Sequence, residues 1–427
     1  MNKILSTPTV LSSLSEWLHY IERLSCMPID LSLDRIRKIA VDLDLIHPAA
    51  YVILVGGTNG KGTTCRVLET ILLNNNNTVG LYTSPHLLSY NERVRICGKE
   101  VSDSTHITAM SVIEDARNQI ALTYFEFITL SALYMFKQEK LDLIILEVGL
   151  GGRLDATNIV DPDISVITNI AIDHTEFLGT SRDMIAKEKS GICRPDKPVV
   201  IGESCFPIII SEMVKYYEAV LFARGRDWDF HVYGNKWMWW SRFSYNSMLY
   251  DDLPLPLIPL ENAATALSVL CWLPFLVAKT AICHGLRVAN LPGRFQIITH
   301  SPLVILDVGH NPHAANYLAK RLAGILLERT GSVRIVIGML KTKDIQGTIC
   351  CLNHLINVWY CSNLDTSLSA SSEELSACLL SSNVHRFSNV LEAWNKAMSD
   401  ASVDDCVIVF GSFHAVSPIM RKIINSY

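Results

Sequence analysis

The sequence predicts an α/β protein made of two domains, each built on a parallel sheet. Three observations predict it. Short apolar runs, each bounded by Gly, Asp or Pro, recur along the chain with amphipathic stretches between them. The alternation restarts after Leu291-Pro292-Gly293-Arg294. At 427 residues the chain also exceeds one ordinary core,. Strands that alternate with helices pair in parallel, so both halves read as α/β.

Tyr51–Val55 is the first strand and runs straight into glycines. Leu143–Val148, Ile164–Thr168 and Val199–Ile201 follow, each a short, mostly apolar run that reads as a buried parallel strand,. Thr63–Leu73 and Phe127–Gln138 read as helices. In the second half, Leu303–Asp307, Arg334–Ile337 and Cys406–Phe410 repeat the strand pattern. The boundary is expected near 293, giving domains 1–292 and 293–427, the second smaller and Rossmann-like. Residues Arg224–Pro259 carry Trp228, Trp237, Trp239 and Trp240 among turn residues and read as a β-hairpin insertion covering the sheet. Asn74–Asn77 marks an exposed helix-to-strand turn. No repeat of solenoid period is present.

Composition excludes several functions. Net charge is −5, and the lysines and arginines are scattered, which is no nucleic-acid footprint,. The 12 cysteines include no C-x-x-C pair and read as reduced, mostly buried thiols,. Met1–Ser15 lacks the apolar core of a signal peptide. The most apolar stretch, Cys271–Ala278, is short and contains Pro274, so it cannot span a bilayer,. A cytoplasmic protein without a membrane partner is expected.

Gly56–Thr64, in the order strand, glycine-rich turn, helix start, suits a polyphosphate. Glycines let the backbone approach, exposed N–H groups point inward, and the helix N-terminus adds partial positive charge. Lys61 would bridge the β- and γ-phosphates, with Thr63 or Thr64 toward a metal. The match to G-x-x-x-x-G-K-[ST] is not literal. Val55 stands where the first glycine belongs, and Gly62 follows Lys61,. A glycine-rich turn with a surface lysine is the bland alternative.

Further segments run in order along nearly the whole chain: Ile29–Arg35 (IDLSLDR), Tyr82–Leu87 (YTSPHL), Leu122–Phe127 (LTYFEF), Leu146–Asn158 (LEVGLGGRLDATN), Asp173-His174, Glu188–Gly191 (EKSG), Leu291–Phe295 (LPGRF) and Asp307–Pro312 (DVGHNP). Together with the variant loop, they resemble the dihydrofolate synthase/folylpolyglutamate synthase family of the Mur ligase superfamily. The resemblance implies an ATP-dependent amide ligase. It would add L-glutamate to 7,8-dihydropteroate, and further glutamates to reduced folates, through an acyl phosphate. A monofunctional folylpolyglutamate synthase, a cell-wall Mur ligase and a nucleotide-binding switch are the rivals.

The resemblance also implies site residues. Thr58, Asn59, Gly60, Lys61, Gly62, Thr63, Asn262, Arg294 and Asp307 would bind ATP. Ser84, Glu147 and His174 would hold Mg²⁺, with two ions expected and K⁺ a further candidate. Mg²⁺ prefers hard oxygen ligands, and Glu147 ends a strand where such sheets bind ligands. Ser84 before Pro85 reads equally as a turn residue, and His174 after Asp173 as part of a helix cap. Lys189 matches a lysine carbamylated in the family; a solvated helix face shared with Lys187 and Glu188 is the alternative. His310, with Asn311, would approach the amino acid. Gly309 replaces an alanine common there and would loosen that loop. Ile29, Asp30, Leu31, Thr123, Tyr124, Phe125 and Leu154 would contact dihydropteroate, although Tyr124 and Phe125 read alone as core. Lys61, Lys189 and His310 are the candidate catalytic residues, and the resemblance implies a monomer.

Overall fold

The computed structural model describes residues 7–24, 32–242, 247–327, 329–379 and 381–425. It forms two compact units. One comprises Met1–Ile172 and Leu178–Asn290, the other Asp173–Phe177 and Leu291–Tyr427. Both are α/β with largely parallel sheets, as the alternating pattern requires.

The first unit holds β1 (Val52–Gly56), β2 (Val79–Tyr82), β3 (Val94–Ile96), β4 (Lys99–Glu100), β5 (Leu143–Glu147), β6 (Ile164–Ile167), β7 (Pro198–Ile201) and β8 (Val220–Ala223). They lie in the order β4, β3, β2, β5, β1, β6, β7, β8. Strands β2, β5, β1, β6, β7 and β8 run parallel, while β3 and β4 form an antiparallel edge. Side chains alternate between two cores. Val52 and Leu54 of β1 join Ile144 and Leu146 of β5 on one face. Ile53 and Val55 join Leu143 and Ile145 on the other. The inner strands β1 and β5 are thus apolar on both faces up to Glu147, because both faces are covered,.

The helix Lys61–Asn74 covers the second face with Val67, Leu68, Ile71 and Leu72. It ends where the asparagine run begins: Asn76 takes φ 62°, which asparagine tolerates better than most residues,. The helix Lys279–Val288 packs on it through Gly285, where a Cβ would lie 2.5 Å from Ile71 Cγ1. The aromatic insertion is a sheet of three strands rather than a hairpin: β9 (Trp228–Tyr233), β10 (Lys236–Ser241) and β11 (Leu249–Pro254). Trp228, Trp237 and Trp239 are buried against the helix Leu260–Leu270, and Trp239 Nε1 donates to Ser268 Oγ at 3.2 Å.

The second unit carries β12 (Gln296–His300), β13 (Leu303–Asp307), β14 (Val333–Ile337), β15 (Val358–Ser362), β16 (Val384–Phe387) and β17 (Cys406–Phe410). Their order is β12, β13, β17, β14, β15, β16, with only β12 antiparallel.

Gly285→Ala forces a methyl into the Ile71 contact and should cost about 1–3 kcal/mol. Urea unfolding checks this, and an unchanged midpoint would show that the two helices separate freely.

Candidate functional site

The phosphate-type loop leaves the C-terminal end of β1, in the middle of the sheet. Its backbone is gripped by the loop that follows β6. Thr58 N donates to Asn169 O at 2.9 Å, Asn59 N to Asn169 Oδ1 at 3.0 Å, and Thr168 Oγ1 to Asn59 O at 2.6 Å. Gly57, at φ 138°, must be glycine, since a Cβ would lie 1.8 Å from Thr168 Oγ1. Gly60, at φ 81°, opens the helix with no side-chain cap. A Cβ on it would meet Asn262 Oδ1 at 2.3 Å, so Asn262 lies directly against the loop. Lys61 Nζ folds back to donate to Gly57 O and Thr58 O at 3.1 and 3.3 Å. Thr63 and Thr64 are both buried, and Thr64 Oγ1 has no hydrogen-bond partner among the described residues.

Glu147 explains the departure at Gly62. Strand register sets Glu147 opposite Val55. The residue is 5% exposed, and its Oε2 would lie 3.1 Å from a Cβ on Gly62. In the common loop a hydroxyl residue follows the lysine; here a carboxylate from the neighbouring strand takes that space. Ser84 N donates to the same Oε2 at 3.1 Å, so Ser84 and Glu147 come together as expected. One carboxylate beside a phosphate loop fits Mg²⁺, which keeps several waters and few protein ligands. Among the described residues, no group of three or more His, Cys, Asp or Glu is placed to hold a metal by itself.

Thr123, Tyr124 and Phe125 open the helix Tyr124–Gln138. Thr123 is its N-cap: Thr123 Oγ1 accepts from Glu126 N at 3.2 Å, and Glu126 Oε2 from Thr123 N at 2.7 Å. Tyr124 and Phe125 are half-buried rather than core. The Phe125 ring lies against Gly149, where a Cβ would meet Cζ at 2.6 Å, and 6.1 Å from the Tyr82 ring. Arg93 Cζ lies 6.0 Å from the Tyr124 ring, and Arg93 Nε donates to His86 Nδ1 at 2.9 Å. Leu154 is half-buried in the loop that carries Gly149. Beside it, Asp155 accepts from Leu150 N and Thr157 N, while burial pushes its carboxyl up. Ile29, Asp30 and Leu31 lie outside the described residues.

The helix Arg182–Ser190 corrects the solvated-face alternative. Lys187 is exposed and Glu188 pairs with Arg153 at 2.9 Å, but Lys189 is only 3% exposed.

In the second unit, Asp307 Oδ1 accepts from Gly309 N at 2.7 Å and Oδ2 from Phe295 N at 3.0 Å, and burial pushes its carboxyl up. Arg294 lies over the Phe413 ring at 4.9 Å. Gly309 does not loosen its loop: a Cβ there would come within 2.7 Å of Phe410, so the loop is packed too closely for one. Asp173 joins His174, His310 and Asn311. Its Oδ1 accepts from His174 N at 2.8 Å and from Lys343 Nζ at 2.7 Å. Oδ2 accepts from Asn311 Nδ2 at 2.9 Å, with His310 Nε2 3.5 Å away. Burial disfavours the Asp173 charge, but His310, Lys343 and His174 outweigh it and hold the carboxyl well below the usual range. His174 sits at φ 51°, an uncommon backbone state for a non-glycine residue,.

Two Mur ligase domains match the chain: the middle domain over residues 55–202 and the glutamate ligase domain over residues 293–413. The dihydrofolate synthase/folylpolyglutamate synthase of Escherichia coli (strain K12) is 48% identical over 417 residues, covering 98% of this chain and 97% of that protein. The chain belongs to the dihydrofolate synthase/folylpolyglutamate synthase family. Among solved structures, E. coli FolC in complex with DHPP and ADP has a TM-score of 0.94 at 47% identity, over 98% of this chain and 100% of that one. A bifunctional folylpolyglutamate synthase/dihydrofolate synthase with Mn, AMPPNP and L-glutamate bound has a TM-score of 0.92 at 48% identity, over 98% and 100%. Family members are acid–amino-acid ligases, and this chain is one, as the ordered segments imply. No described helix is long and apolar enough to cross a membrane.

Sequence reasoning missed Lys343, which stands in no quoted segment, and Glu203. Glu203 Oε1 accepts from Ile170 N at 3.1 Å and pairs with Arg182 at 3.0 Å, while Arg182 Nε donates to Ile170 O. This pair braces the loop that grips Thr58 and Asn59.

Burial pushes Glu203 up to about 7 despite Arg182. A folded value above the unfolded one means that its stabilising contribution is complete below about pH 4 and is lost as pH rises through 7. Glu203→Gln does not titrate. Its stability relative to the parent should rise by about 1–3 kcal/mol between pH 5 and pH 8. Urea unfolding at both pH values reads this, and a constant difference would contradict it.

Proposed function

We propose that the protein uses ATP to join L-glutamate to 7,8-dihydropteroate, forming dihydrofolate, and that it adds further glutamates to reduced folates. Family membership supports ligation. The observation that carries the nucleotide half is the Glu147 carboxylate seated against Gly62 at the head of the loop. The domain division is 1–292 for nucleotide and pterin and 293–427 for glutamate ligation.

The loop N–H groups and Lys61 bind the β- and γ-phosphates once Lys61 leaves its own loop carbonyls. Glu147 and Ser84 would hold Mg²⁺, and the resemblance assigns His174 as a further ligand, with two ions in all and K⁺ a further candidate; the metal would supply charge to offset the phosphates. A pteroate carboxylate oxygen attacks the γ-phosphorus and ADP departs, leaving an acyl phosphate. The glutamate amine attacks the acyl carbon, loses a proton, and expels phosphate. No protein nucleophile is needed, so the protein's task is orientation and charge.

Thr58, Asn59, Gly60, Gly62, Thr63 and Asn262 belong to this nucleotide site. Tyr124, Phe125 and Leu154 are assigned to the pterin, supported by the half-buried Tyr124 and Phe125 rings and, beside Leu154, the Asp155 carboxylate,. Thr123 contributes by capping their helix. The roles of Arg294, Asp307 and His310 rest on the resemblance. Lys189 is buried rather than on a solvated helix face, which supports the carbamylation that the resemblance implies. A cytoplasmic monomer acting on small molecules, without nucleic acid or membrane, completes the reading.

ADP release should require dihydropteroate and glutamate together; release with neither, or none with both, refutes the synthase reading. Glu147→Gln should cut turnover and raise the metal concentration for half-maximal rate, each roughly 10- to 100-fold. Unchanged kinetics would remove Glu147 from the metal site.

A further inference from the structure

Lys343 has no assigned role, yet it occupies a particular place. Its side chain is 8% exposed, and its ammonium lies 2.7 Å from Asp173 Oδ1. It also lies 3.2 Å from His174 Nε2. An ammonium has only protons to give, so a hydrogen bond from Lys343 engages the lone pair on Nε2,. A divalent cation at Nε2 needs that same lone pair. One lone pair cannot serve both, and the two positive charges repel each other. The backbone here is fixed: Lys343 N donates to Leu340 O, and Asp344 caps the helix Ile345–Leu352 through Gly347 N. The freedom lies in the four-carbon stem.

We propose that Lys343 is an internal cation that occupies the Asp173–His174 donors and withdraws from Nε2 when a divalent metal binds, so that it sets the metal affinity. This rests on the reading of His174 as a metal ligand. Lys343 is a positioning residue: it keeps the imidazole in one tautomer and one orientation, and it keeps a buried carboxylate paired until the metal arrives. Coupling is reciprocal, so the metal expels the lysine as strongly as the lysine opposes the metal.

Mn²⁺ alone is titrated against the full chain and read by water-proton relaxation. Lys343→Met keeps the stem without the charge and should lower the Mn²⁺ Kd by about fivefold or more. Lys343→Arg keeps the charge and should not lower it. His174→Asn should raise it. If His174→Asn raises the Kd while Lys343→Met leaves it unchanged or raises it, Lys343 is only a brace and the proposal fails alone. If His174→Asn changes nothing, the metal reading fails and takes the proposal with it. A second measurement needs no variant. Acylation of the Lys343 amine, followed by mass spectrometry on the unaltered protein, should quicken about fivefold or more on adding Mn²⁺. A rate indifferent to the metal overturns the proposal even if Lys343→Met does not fold.

Discussion

The first unit depends on one close approach, that of the Glu147 carboxylate to the backbone of Gly62. Parallel pairing of β1 with β5 brings it about, because Glu147 is the residue opposite Val55 where β1 gives way to the loop. A buried carboxylate is costly unless something answers its charge. Here Ser84 N supplies one hydrogen bond, and the loop supplies a helix N-terminus,. The space left for the carboxylate is the space that a side chain at 62 would fill. The unusual loop sequence and the acidic strand end are therefore one feature seen from two sides.

The rest of the unit keeps that approach in place. Strands buried on both faces leave β1 and β5 little freedom to slide, since a shift of one residue would exchange the two cores. The loop after β6 fixes Thr58 and Asn59 through Asn169 and Thr168. Arg182 and Glu203 fix that loop in turn. In the second unit, Asp173 plays the equivalent organising part: four neighbours converge on its two oxygens, and His310 and Lys343 lead the interactions that keep it ionised although it is buried,.

Much of this was legible in the sequence, for a physical reason. Strands such as Val52–Gly56 carry no polar side chain because both faces are covered, and Gly57 and Gly60 are glycines because Thr168 and Asn262 leave no room for a Cβ. Other elements carried weaker signals. Strand β2 includes Gly80, whose missing side chain makes room for Phe136 and Leu141, so its apolar run is broken by a packing requirement of a distant helix. The third strand of the aromatic sheet, Leu249–Pro254, contains two aspartates and is mostly exposed, so no buried face marked it. Lys343 and Glu203 act through partners more than twenty residues away in sequence, and a single lysine or glutamate gives no spacing to read. Lys189 looked like one charge among several; only the helix's orientation shows that it alone turns inward.

The most direct test of the Gly62–Glu147 account is nucleotide affinity in a Gly62→Ala variant, measured with AMPPNP in the presence and absence of Mn²⁺. Alanine suits a helix better than glycine, so the fold should hold or gain up to about 1 kcal/mol. Its methyl would lie 3.1 Å from Glu147 Oε2, closer than the carboxylate tolerates without moving. The account predicts that affinity with Mn²⁺ falls about tenfold while affinity without metal stays close to that of the parent. Equal affinity with Mn²⁺ in both proteins would contradict it.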